Sequence, residues 1–216
     1  MDPLSFAIAA VPFAAYLLLL GGICRSGRPL VVNGANDLVV LGLGLTGVAF
    51  VGPLALFRPE AATAELGEWV WVFLLALYWL TIVLTALLGR PSLVVYNTTA
   101  EQLRSALATT APQLDPASRW AGDSLSLPGL GVQLHLDALR WTRTVSIVAN
   151  TASQDLAGWR RLAVSLNRAM QRNPAAPTTL GIALLAGGVG LLAASCAWLA
   201  AAPGGVQLAV ERLLAP

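Results

Sequence analysis

The run WVWVFLLALYWLTIVLTALLG, residues 69–89, contains 21 consecutive uncharged positions between Glu68 and Arg90. A helix rises about 1.5 Å per residue, so such a run covers the roughly 30 Å of a bilayer's hydrocarbon core. Working outward, three more charge-free runs of comparable length lie at 4–24, 38–57 and 178–202. Asp2, Arg25, Asp37, Arg58, Glu68 and Arg90 stand just outside the runs, avoiding the roughly 2.5–3.5 kcal/mol cost of a charge at a helix centre. The expected fold is therefore a membrane all-α protein of four transmembrane helices, at about 4–24, 38–57, 69–89 and 177–202, with an inserted domain between the last two. Composition agrees: the chain is 56% hydrophobic and 11% charged, with a mean hydropathy of +0.70. Soluble domains carry roughly 25% charged residues.

The first run is read as a retained helix. Its Met-Asp-Pro start lacks the positive charge of a secretory signal, and Ile23 precedes Cys24 where a lipoprotein signal has a small residue. Pro12 and Pro53 fall inside spans, where neighbouring helices can satisfy a freed carbonyl. Trp69, Trp71 and Trp198 suit either an interfacial belt or packing against a neighbouring helix.

Arginine placement predicts orientation. All 13 basic residues are Arg. The first connection carries Arg25 and Arg28, the second has Arg58 against Glu60, Glu65 and Glu68, and the third has nine Arg counted from Arg90. Placing the first and third connections inside puts 11 of the 13 Arg in the cytoplasm. Both termini then lie outside a bacterial cytoplasmic membrane.

Residues 91–176 regain ordinary polarity and are enough for one small soluble domain. Residues 92–97 read as a strand. Thr98 and Glu101 have the spacing of a capping box opening a helix, with Leu103, Ala106, Leu107, Thr110 and Leu114 on one face. Alternation from Val132 to Leu139 gives a strand, paired through Pro128-Gly129-Leu130-Gly131 with Ser124–Leu127, and residues 144–150 give another. A closing helix over about 155–171 gathers Leu156, Trp159, Leu162, Ala163, Leu166 and Met170, with Arg161, Arg168 and Arg172 opposite. The expectation is a small α+β domain, β-α-β-β-β-α, built as a two-layer sandwich of a four-stranded sheet under two helices. The tail, 203–216, resembles a short amphipathic helix.

Reactive constellations are scarce. One His and two Cys provide neither a disulfide framework nor a multi-ligand metal site. His135 stands beside Asp137 on the polar side of its strand without an identifiable nucleophile, and Asp115, Asp123 and Asp155 suit turns and a helix start. Gly42-Leu-Gly44-Leu-Thr-Gly47 has the form G-x-G-x-x-G, but lies inside a span, where small residues serve close helix contact. Gly42 and Gly47 are accordingly expected to pack helices. The last span repeats the theme with Ala183, Ala186, Gly187, Gly190 and Ala194. Aliphatic hydroxyls at Thr46, Thr81, Thr85 and Ser195 suit bonds to their own helix backbone.

The insert's nine Arg against five acidic residues leave a net charge of +4. Arg161, Arg168 and Arg172 are expected to face anionic lipid head groups. No nucleic-acid module is recognisable and no small-molecule substrate is identified. The functional expectation is a non-catalytic membrane accessory or scaffold subunit without a cofactor, in contact with lipids and with copies of itself or other membrane subunits. An oligomeric channel or transport component, and a tethered sensor for an anionic ligand or lipid, are the alternatives.

Overall fold

The computed structural model describes residues 3–53, 65–67, 69–139, 143–151, 154–171 and 179–201. The expectations for Arg172, for the Arg58 connection and for the tail at 203–216 lie outside the described residues. In chain order the elements are α1 (Pro3–Arg25), β1 (Leu30–Asn33), α2 (Gly34–Val51), α3 (Trp69–Leu88), β2 (Ser92–Tyr96) and α4 (Ala100–Leu114). There follow β3 (Arg119–Ala121), β4 (Ser124–Leu127), a 3-10 turn at Pro128–Leu130, β5 (Val132–Leu139), β6 (Thr144–Ala149), α5 (Leu156–Gln171) and α6 (Thr179–Ala201). Helices α1, α2, α3 and α6 are long and apolar enough to cross a membrane. The chain divides into two compact units, one of Met1–Gly21, Leu38–Thr85 and Ala183–Pro216, the other of Gly22–Asp37 and Ala86–Ile182.

In the second unit the sheet has six antiparallel strands in the order β1-β2-β6-β5-β4-β3, two more than the four expected. The first addition is β1, which lies in the connection between α1 and α2 and pairs Leu30 with Tyr96 and Asn33 with Leu93. Its hydrogen-bonding partner is some 60 residues away, so no local pattern announces it. The second is β3, three residues closed onto β4 through a Gly122-Asp123 turn, where Gly122 has φ 61°.

One face of the sheet presents Leu93, Val95, Leu125, Leu127, Val132, Leu134, Leu136, Val145 and Ile147 to a core shared with both helices. Helix α4 contributes Leu103, Leu107 and Ala111, and α5 contributes Trp159, Leu162, Leu166 and Met170. Side chains of this kind stabilise by about 1.5–3 kcal/mol each when fully buried. Gly158 lets α5 approach closely, since a methyl group there would run into the Leu130 carbonyl. Leu156 departs from the expected apolar face and is 63% exposed, because it occupies the first position of the helix, at the margin of the buried arc.

The capping box opening α4 is Thr99 with Gln102, one residue later than Thr98 with Glu101. Asn97 adopts the left-handed conformation at φ 58°, and the Thr98 N–H donates to the Arg143 carbonyl at 2.9 Å. Both features use up a residue before the helix starts.

Candidate functional site

In the unit of apolar helices, glycines set the contacts. A methyl at Gly42 would press on Ile82, and one at Gly47 would collide with the Ile8 carbonyl, which belongs to backbone and cannot swing aside. Gly44, between them, is seated against Tyr16 in the same way. The Gly42 carbonyl also accepts the Tyr78 hydroxyl at 2.8 Å, a bond between α2 and α3. Phe50 stacks against Trp71 with ring centres 4.8 Å apart, and Phe6 against Trp198 at 5.2 Å. The span hydroxyls bond their own backbones: Thr46 to Gly42, Thr81 to Leu77, Thr85 to Thr81 and Ser195 to Leu191.

On α6 the structure separates two small-residue faces. Gly188 is buried against Leu18 and the Ala14 carbonyl, and Ser195 is buried seven residues on. Ala183, Ala186, Gly187, Gly190 and Ala194 are exposed; Gly190 has nothing within 4 Å of where a methyl would sit. Both faces are rich in small residues, so composition along the helix does not distinguish them.

In the second unit, α5 carries Arg160, Arg161 and Arg168 on its exposed arc. None of the three has a hydrogen-bonding or ionic partner among the described residues. Arg104 on α4 is differently placed: it donates to Asp123 Oδ1 at 3.1 Å and to the Gly122 carbonyl at 2.9 Å, over the Trp120 ring.

His135 lies exposed on the sheet face opposite the core, with its Nδ1 3.2 Å from Ser124 Oγ. Cross-strand pairing of Ser124 with His135 produces this contact, which a single strand's sequence does not reveal. A serine hydrolase's base meets its serine through one ring nitrogen and its carboxylate through the other; Asp137, two residues along the strand, makes no bond to the imidazole. Among the described residues, no group of three or more His, Cys, Asp and Glu could hold a metal ion. Asp115 is buried and structural: its carboxylate accepts from the Gly129 N–H at 2.7 Å and the Ala117 N–H at 3.0 Å. Asp155 likewise accepts from the Ala157 N–H at the start of α5.

Asn97, 2% exposed, joins distant chain segments. Its Nδ2 donates to the Ile23 carbonyl at 2.5 Å and to the Arg28 carbonyl at 3.1 Å. A cleft of about 330 Å³ adjoins it, lined by Pro29, Glu101, Gln102, Ser105 and Met170. Gln102 is already committed there to the capping box.

No family model, curated protein or solved structure matches this chain. Its functional reading therefore rests on its own residues.

Proposed function

We propose that this chain is a non-catalytic accessory or scaffold subunit of a bacterial cytoplasmic membrane, in which four apolar helices anchor a small α/β unit that docks a protein partner. The carrying observation is the one-sided use of the sheet. Helices α4 and α5 share the core with one face, whereas the opposite face keeps Val94, Ser146 and Val148 half-exposed and His135 and Asp137 exposed. A broad mixed face of this kind suits docking better than turnover, which needs convergent reactive groups in a concave site. The exposed small residues Ala183, Ala186, Gly187, Gly190 and Ala194 are offered to a second copy or another membrane subunit in the same reading.

In the proposed topology the Arg-rich connections and the α/β unit are cytoplasmic and both termini are outside. Labelling of an Ala108→Cys variant that also carries Cys196→Ser, to remove the exposed native thiol, tests this in intact cells, since Ala108 is exposed on α4. An impermeant maleimide should fail to react until the membrane is permeabilised; reaction in intact cells reverses the orientation. Native mass spectrometry of the gently extracted protein tests the function. Fixed stoichiometry with other chains is the expected result, whereas a lone monomer, or ion flux from the chain alone in liposomes, refutes the accessory role.

A further inference from the structure

We propose that the outward face of α5 is a membrane-surface contact, with Arg160, Arg161 and Arg168 on anionic lipid phosphates and Val164 between them. Arg160, Val164 and Arg168 follow at four-residue steps, and Arg161 lies on the same exposed arc. Side chains three and four apart share a helix face. Val164 is 52% exposed, an apolar side chain placed among cations rather than in the core. Residues 156–171 include no Asp or Glu, so nothing on the helix neutralises the three charges. Arg104 shows how this fold treats an arginine it needs for its own structure, with a carboxylate, a carbonyl and a ring in attendance.

Short connections tie α5, and the strand β1 it packs against, to apolar helices. Helix α5 packs against β1, and β1 passes directly into α2 at Gly34 and follows α1 after four residues. From Gln171 to Thr179, where α6 begins, there are eight peptide steps, at most about 29 Å when fully extended. A helix so tethered, cationic and unopposed fits the negative surface of a phospholipid leaflet. Long arginine arms can lie along that surface with their guanidinium groups on phosphate, leaving Val164 against the acyl boundary. This inference rests on the four apolar helices crossing a membrane and does not depend on the accessory-subunit reading.

The test uses the full chain in liposomes, with Cys196→Ser to remove the exposed thiol and a fluorophore on Val164→Cys. A second label on Ala108→Cys, on the exposed side of α4, serves as reference. In vesicles of phosphatidylcholine with phosphatidylglycerol, the label at position 164 should be shielded from acrylamide; in phosphatidylcholine alone it should be quenched as freely as the one at 108. Each Arg→Gln change at 160, 161 and 168 should reduce the docked population about fivefold, and added salt should release it. All three positions are exposed, so circular dichroism should report an unchanged fold. Equal quenching at 164 in both vesicle types overturns the proposal. So does shielding that persists in phosphatidylcholine alone or survives the Arg→Gln changes, since it would owe nothing to anionic lipid.

Discussion

The Tyr96 hydroxyl donates to Asp37 Oδ1 at 2.5 Å, joining the last residue of β2 to the first turn of α2 across 59 positions of sequence. A hydroxyl bonded to a carboxylate is among the stronger neutral-to-charged pairs. Tyr96→Phe removes the hydroxyl and keeps the ring, so the unfolding midpoint of the reconstituted chain should fall by the equivalent of about 1.5–3 kcal/mol. An unchanged midpoint would show that the bond contributes nothing net.

At Asn97 two effects can be separated. Asn97→Gly accepts the positive φ and loses the bonds to Ile23 and Arg28; Asn97→Ala loses the bonds and strains the backbone as well. The alanine variant should be the less stable of the two by about 1 kcal/mol, given the left-handed penalty on a Cβ. Equal stabilities would mean that the turn relaxes out of the left-handed region.

Two glycines in apolar helices should respond oppositely to alanine. At Gly47 the added methyl meets backbone at Ile8, and overpacking of this kind costs about 1–3 kcal/mol. At Gly190 it meets nothing, and the change should be neutral or stabilising by up to about 1 kcal/mol. Thermal denaturation of both variants in the same detergent checks the contrast.

Asp115 fastens the end of α4 to the 3-10 turn before β5. Asp115→Ala removes the buried carboxylate that accepts from the Gly129 and Ala117 amides and should cost about 1.5–3 kcal/mol. Hydrogen exchange at Gly129 should accelerate together with the loss of stability. Acceleration at that amide without global destabilisation would confine the role of Asp115 to the turn.

Much of this arrangement is legible residue by residue. Missing charges place α1, α3 and α6 within about two residues of their ends. Helix α2 starts earlier than its charge-free run, at Gly34, because Asn33 Oδ1 accepts the Ala35 N–H and Asp37 suits a helix's positive end. Period-two alternation marks β5, and period-3.6 patterning marks α4 and α5. What escapes is whatever depends on a distant partner. Strand β1 is four residues whose hydrogen bonds lie on β2, and β3 is three residues with two exposed side chains. The Ser124–His135 contact needs register, and the buried face of α6 is defined by α1, not by its own composition. Arg161 and Arg168 on the outer side of α5 are legible because a single amphipathic helix contains the information, whereas Arg160, exposed on the same arc, is not among the residues expected there.

The position of β1 also sets an order of events during synthesis. Asn33 leaves the ribosome 63 residues before Tyr96, and at about 5–20 residues per second that separation lasts roughly 3–13 s. Throughout it, α1 and α2 can enter the bilayer while the strand between them has no β2 to bond. An unpaired strand is an open template, available to the same segment of a neighbouring nascent chain. That interval is long enough for α1 and α2 to enter a bilayer before β1 has a partner strand, so the sheet can close only after both helices have been made.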